Sequence, residues 1–454
     1  MRAYFHYVDQ KLGLSRDIRF STRVSEAEFD EAERCWIVGT ESGRTARARY
    51  LVLCTGIGSK PHLPDIKGRH DFLGSLFHTA QWPQEGVDLS GKRVGVIGTG
   101  ATGVQVIQEI GPIVSHLTVF QRTPNMALPM RQRTLDAAAK RELKNGLREK
   151  YAKRARTFGG YEYDFYDYAG ASSAGYTPEQ IRAMYEDYWE KGGFVPWLGN
   201  FADIWTDERI NTVAYDFWRD KVRERITHPA VAEKLAPTVP PHPYGVKRLS
   251  LEQRYFKVYN QKNVLLVDLR ETPIERITAE GVLTSDGLEH KLDVLILATG
   301  FDMVSGGLTA INIKGTSGLT LRDKWKSGIS AYLGSATHGF PNMLFLYGPQ
   351  APAGLSNGPS SSELQGDEIV ELLKFMKDNG RSRLESSDQA DKAWRERIDQ
   401  YVETTLFGRA DSWYMAANVP GKARQMINYP CGMPDYLAQW REAKQAGYVG
   451  FNIR

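Results

Sequence analysis

The sequence predicts an α/β protein built from Rossmann-like dinucleotide-binding units, with a block of helices inserted. Three observations carry this. A strand, a glycine turn, a helix and a second strand follow one another over 93–123. Apolar runs ending at glycine stand at Arg49-Tyr50-Leu51-Val52-Leu53-Cys54-Thr55-Gly56 and Val294-Leu295-Ile296-Leu297-Ala298-Thr299-Gly300. Over about 130–243 the pattern changes to charged, aromatic and helix-forming residues.

Residues 1–13 fit a short amphipathic helix. Thr22-Arg23-Val24, Cys35-Trp36-Ile37-Val38 and Ala46-Arg47-Ala48-Arg49-Tyr50 fit strands separated by turn residues. Gly56-Ile57-Gly58 is followed by Ser59-Lys60-Pro61 and no helix, which argues against a nucleotide loop there. The main unit is explicit. Arg93-Val94-Gly95-Val96-Ile97 is a strand, and Gly98-Thr99-Gly100-Ala101-Thr102-Gly103 is the turn. Val104 to Ile110 follow a helix pattern, and Leu117-Thr118-Val119-Phe120 is the next strand. In the insertion, the cluster Tyr161, Tyr163, Phe165, Tyr166 and Tyr168 reads as packing. Strands resume at 264–267 and 294–300, a strand-turn-helix lies within 340–380, and the tail from 385 reads as mostly helical.

A chain of 454 residues exceeds what one core usually serves, so two or three domains are expected. The net charge of +4 is too small over this length to indicate nucleic acid or an anionic membrane as partner. Cys35, Cys54 and Cys431 lie far apart, with neither metal-ligand spacing nor a disulfide framework, which fits a reducing cytoplasm. No metal site is expected. The first residues are too polar for a signal-peptide core, and no apolar run is long enough to span a membrane.

The turn carries chemistry. Gly98 permits the tight bend, Gly100 lets backbone approach a pyrophosphate, and Gly103 allows close helix–strand packing. The helix that begins around Ala101 and Thr102 offers N–H groups and a partial positive charge to phosphate. An NAD site usually places an acid at the end of the second strand. Here the strand runs Val119-Phe120-Gln121-Arg122-Thr123. Arg122, with Thr123 beside it, suits a 2′-phosphate, so NADPH is expected over NADH.

The stretch Phe72-Leu73-Gly74-Ser75-Leu76-Phe77-His78-Thr79-Ala80-Gln81-Trp82-Pro83 matches the pattern FxGxxxHxxxWP just before those glycines. In this the chain resembles the Baeyer–Villiger monooxygenases. Gly56, Thr299-Gly300 with Asp302, Gly339-Phe340-Pro341-Asn342, Tyr347-Gly348-Pro349, Ser412-Trp413-Tyr414 and Asn418-Val419-Pro420-Gly421-Lys422 extend the resemblance, which is strongest to the phenylacetone and steroid monooxygenase branch. It implies an enzyme using NADPH, FAD and O2 to turn a small-molecule ketone into an ester or lactone. It also implies that Arg248, in Tyr244-Gly245-Val246-Lys247-Arg248, is the catalytic arginine that stabilises the charged flavin peroxide and the intermediate formed on ketone attack. Lys247 would help hold the 2′-phosphate, and Asp302 and Trp413 would be cofactor contacts. For His78, a hinge or linker role is expected.

The resemblance further implies two interleaved domains: a flavin domain from 1–58 and 296–454, and an NADPH domain over 59–295 with the helical insertion at about 130–243. The family's own FAD-binding glycine unit, and an active-site aspartate near it, have no counterpart before residue 51. The flavin domain is therefore expected to be N-terminally truncated, and FAD binding weak or absent. Arg254 and Lys257 stand where relatives often carry acids, and Gly354 and Gly358-Pro359 make the presumed active-site loop unusual. Two alternatives stay open: an inactive NADP-binding remnant, and a related flavin monooxygenase acting on nitrogen or sulfur.

Overall fold

In a computed structural model, which describes residues 2–162 and 172–454, the apolar runs assemble into several sheets. The largest has five strands in the order Val264–Asp268, His116–Gln121, Arg93–Ile97, Val294–Leu297 and Ser75–His78. Every neighbouring pair is parallel. Parallel pairing requires crossovers, whose helices cover the faces, so the strands are apolar along their length. Val94, Val96, Leu117, Val119, Leu295 and Ile296 are accordingly buried. The helix Ala101–Ile110 connects two adjacent strands and buries Val104 and Ile107 completely. All of Val294–Leu297 belongs to this sheet, so a domain boundary at 295 falls inside one of its strands.

Residues near the N-terminus share a core with residues beyond 300. Asn312–Lys314, Val24–Asp30, Cys35–Thr40 and Thr45–Ala48 form a four-stranded sheet in that order. Phe29, Trp36, Ile313 and Phe345 pack together beneath it, and the Trp36 indole N–H donates to the Pro341 carbonyl at 2.8 Å. Leu51–Leu53 pairs in parallel with Met343–Phe345 as a separate two-stranded sheet. The helix expected at the N-terminus forms as Arg2–Leu12, but it buries none of its residues.

The insertion contains the helices Ala137–Lys144, Leu147–Lys153, Pro178–Lys191, Val195–Leu198, Glu208–Arg223 and Pro229–Leu235. The start of Pro178–Lys191 is written locally. Thr177 accepts from the Gln180 N–H, the Gln180 side chain accepts from the Thr177 N–H, and Pro178 stands at the first position. Ile181, Tyr185, Tyr188 and Trp189 form its buried face. Of the expected aromatic packing cluster, Tyr161 lies against the main core, whereas Tyr163, Phe165, Tyr166 and Tyr168 lie outside the described residues. The tail holds the helices Asp388–Glu403 and Met433–Gln445 but closes on Phe451–Ile453, a strand antiparallel to Leu384–Ser386. Three residues are too few to display a two-residue period, so only the pairing reveals that strand.

Candidate functional site

The glycine turn has the geometry its spacing predicts. Gly98 follows the strand at φ +105°, a conformation that side chains rarely tolerate. A Cβ at Gly103 would lie 2.2 Å from the Gly98 carbonyl oxygen, so only glycine allows the helix this close to the turn. Gly100 faces open space, which leaves its backbone approachable, and Ala101 and Thr102 begin the helix. The Thr99 hydroxyl donates to the Thr123 carbonyl at 2.9 Å, and the Asn125 amide donates to the Thr99 carbonyl at 3.0 Å. These bonds tie the turn to the segment that carries Arg122. Lys247 is held below the usual lysine range by its burial and by the nearby Arg122 cation, with Asp411 opposing. Two mutually repelling cations beside a phosphate-binding turn suit a dianion such as a 2′-phosphate. This set fits NADPH. His242, just upstream, is buried and bonded to the Pro243 carbonyl at 2.9 Å. Burial and the Lys247 cation push it down to about 4, so it is neutral at neutral pH.

Arg248 sits in a neutral cage. Its Nη1 donates to the Gly354 carbonyl at 2.8 Å, and its guanidinium lies 5.4 Å from the centre of the Phe194 ring. The Tyr161 and Tyr414 phenols lie near enough to feel its charge, and the Tyr414 hydroxyl donates to the same Gly354 carbonyl at 2.8 Å. Burial raises the pKa of Tyr161 and Tyr414 and lifts Tyr347 to about 12, so all three stay protonated near neutrality. Tyr347 is held at φ +56°, a conformation that costs of the order of 1–3 kcal/mol outside glycine. Its N–H donates to Gln365 at 2.6 Å. A guanidinium held by a carbonyl and a ring, with protonated phenols beside it, keeps its charge available for an anion that develops nearby.

Comparison with known proteins agrees with this geometry. The family model for pyridine nucleotide-disulphide oxidoreductases matches residues 5–160. Cyclopentanone 1,2-monooxygenase of a Comamonas species is 46% identical over 453 residues, covering 100% of this chain and 82% of that protein. The Baeyer-Villiger monooxygenase of Pseudooceanicola batsensis is 37% identical over 449 residues, covering 98% of this chain and 80% of that one. The chain belongs to the Baeyer–Villiger monooxygenase family. A crystal structure of OTEMO in complex with FAD and NADP superposes with a TM-score of 0.94 at 34% identity, covering 100% of this chain and 84% of that one.

In this Baeyer–Villiger monooxygenase, several expected residues take different places. Asp302, expected as a cofactor contact, also has both carboxylate oxygens paired with lysines, which leaves that expectation open. One meets Lys60 at 3.3 Å, and the other meets Lys422, which also bonds Ser305 at 2.8 Å. The Asn418 amide adds a bond to the Phe301 carbonyl at 2.8 Å. Asp302 therefore straps the segment bearing Trp413 and Lys422 to the stretch that follows the strand Val294–Leu297. Trp413 packs edge-on against Tyr414, with ring centres 4.5 Å apart, and touches both larger cores. His78 ends the edge strand of the nucleotide sheet and is buried. Its Nδ1 accepts from the Ala80 N–H at 3.1 Å, which places the proton of the neutral ring on Nε2, and burial lowers its pKa. Arg254 docks on the nucleotide helix through Glu109 at 2.7 Å and the Gln108 carbonyl at 2.8 Å, and Lys257 is exposed.

For a second dinucleotide, the pair Leu51–Leu53 and Met343–Phe345 supplies a parallel sheet fragment, with Gly56 at φ +68° beyond it. Among the described residues the fingerprint at 98–103 is matched by no second one. The sequence carries no sign of the cage partner Phe194, places Gly354 in the presumed active-site loop without its bond to Arg248, and marks Tyr161 only as packing. Tyr414 had one visible signal, its place beside Trp413 in the family's pattern.

Proposed function

We propose that this chain is an NADPH- and FAD-dependent Baeyer–Villiger monooxygenase. In the reaction, ketone, O2, NADPH and a proton give an ester or lactone, NADP+ and water. One oxygen atom enters the carbon–carbon bond beside the carbonyl, and the other leaves as water. Bound FAD, reduced by NADPH, supplies the oxygen-activating chemistry. The observation that carries the reading is Arg248, a partly buried cation held by neutral groups. Such a group stabilises negative charge on the former carbonyl oxygen without reorganising during the reaction.

The remaining roles follow from position. Backbone N–H groups at the start of the helix after Gly98–Gly103 hold the NADPH pyrophosphate, and Arg122, Thr123 and Lys247 hold its 2′-phosphate. The reading keeps 59–295 as the NADPH part and 1–58 with 296–454 as the flavin part. It includes a cytoplasmic location, supported by Cys35, Cys54 and Cys431 all being free thiols. Among the described residues no helix is long and apolar enough to cross a membrane.

The test is product analysis with FAD, NADPH and a small cyclic ketone. Lactone formed with matching NADPH consumption supports the reading. NADPH bound but never oxidised would favour an inactive nucleotide-binding protein. Oxidation of amines or sulfides with no ketone turnover would move the chemistry to nitrogen or sulfur.

A further inference from the structure

We propose that Tyr414 is a positioning residue that, together with the Gly354 carbonyl, seats the guanidinium of Arg248. The proposal rests on the function proposed above and adds how the arginine is kept in place. Three atoms carry it. Arg248 Nη1 donates to the Gly354 oxygen at 2.8 Å, and the Tyr414 hydroxyl donates to that same oxygen at 2.8 Å. A carbonyl oxygen has two lone pairs, and here two donors arriving from different segments use both. Tyr414 is 1% exposed, so no water competes for its hydroxyl.

The backbone around the seat is fitted to the ring. A Cβ at Gly354 would lie 2.6 Å from Cε1 of Tyr414, so the ring lies directly against the glycine. Any larger residue at 354 must displace the ring, the carbonyl or both. The Tyr414 hydroxyl thus donates to the carbonyl that Arg248 also grips. This shared acceptor limits the freedom of a long side chain to swing, and Phe194, from the helical insertion, covers the guanidinium.

The seat explains why Trp413 and Tyr414, adjacent in sequence, face different tasks. Trp413 remains partly exposed at the junction of two cores, while Tyr414 is buried against Gly354. Tyr414 acts through Arg248 and makes no contact with substrate in this account.

Tyr414→Phe keeps the ring and deletes the hydroxyl alone. Ester formation is expected to fall about tenfold to hundredfold, the scale of a misplaced catalytic group. The loss should appear in kcat rather than KM, with the consumed NADPH diverted to hydrogen peroxide. NADPH affinity, measured by calorimetry, should not change, because Arg122 and Lys247 are untouched. A second readout needs no turnover. In protein labelled with 15N-arginine, the Arg248 guanidinium signal is assigned by its loss in Arg248→Lys. It should shift in Tyr414→Phe and exchange faster with water. Wild-type ester yield together with an unmoved Arg248 signal overturns the proposal. Should Tyr414→Phe fail to fold, Gly354→Ala asks the same question by pushing on the ring, and an unmoved Arg248 signal there overturns it equally. If the unaltered protein oxidises no ketone while the Arg248 signal still moves in Tyr414→Phe, the proposed reaction fails and the seat stands.

Discussion

The glycine turn at 98–103 and the seat of Arg248, both proposed to meet negative charge, are built in opposite ways. The turn is made by consecutive residues whose backbone geometry is dictated by the absence of side chains at Gly98 and Gly103. The seat is made by Tyr161, Phe194, Arg248, Gly354 and Tyr414, which come from separate segments. In the proposed roles, the turn offers fixed dipoles to a charge that is always there, a phosphate. The seat offers one cation, immobilised by neutral neighbours, to a charge that appears during reaction. A permanent charge can be met by backbone alone, whereas a transient one requires a full charge held at a defined point.

The largest expected effect tests the seat. Arg248→Ala should lower ester formation about a hundredfold to a thousandfold, or roughly 2.7–4 kcal/mol of lost stabilisation. Arg248→Lys should recover little, because a point charge cannot reproduce the planar fork that reaches the Gly354 carbonyl. Product yield measured beside flavin spectra decides this, and near-normal ester from the alanine variant would leave Arg248 a structural residue.

The next effect lies between the two regions. His242 is buried next to Lys247 and is pushed from its usual value near 6.5 down to about 4. Because the folded state prefers the neutral ring, this stability is present above about pH 6.5 and is lost as the pH falls towards 4. The loss amounts to about 1.4 kcal/mol per pH unit at most, spread over that window. Thermal unfolding followed from pH 7.5 to 4.5 should show it, and His242→Asn should flatten that part of the profile. An unchanged slope in the variant would assign the acid sensitivity elsewhere.

The glycine turn is tested through its neighbour. Arg122→Ala should weaken NADPH by about tenfold or more, from a charged contact worth roughly 1.5–3 kcal/mol, and should barely alter NADH. Equal losses for both cofactors in calorimetry would mean that Arg122 does not read the 2′-phosphate. The smallest effect concerns the strap on Asp302. Lys60 keeps 48% of its side chain exposed and Lys422 keeps 24%. Lys60→Met should therefore cost less than about 1 kcal/mol, as exposed ion pairs do, and Lys422→Met should cost more. Comparing the two unfolding midpoints checks the order, and a reversed order would show that the loop is held by something other than Asp302.

Much of the nucleotide site was legible because its constraints are short-range. The strand Arg93–Ile97 has the bounds its apolar run predicts, and Gly98, Gly100 and Gly103 fall where the turn needs them. Other features were not readable. Val294–Leu297 and Ser75–His78 lie far apart in the chain, and no local pattern says that they are neighbours. The resemblance marks Asp302 as a cofactor contact, but nothing local shows the two lysines paired with it. Gly354 stands out in the presumed active-site loop, but nothing local shows the Tyr414 ring set against it.

The sequence by itself determined a dinucleotide-binding unit with a basic residue at its specificity position, a helical insertion and the family to which the chain belongs. Periodicity, glycine spacing and one long motif carry that information locally, and each survives without knowledge of distant segments. Only the tertiary structure decided that a lysine faces Arg122, that Asp302 is a strap, and that Tyr414 and Gly354 hold Arg248. Those outcomes depend on which segments of the chain meet. Charge, hydrogen bonding and close packing act over a few ångströms in space, whatever the distance in sequence.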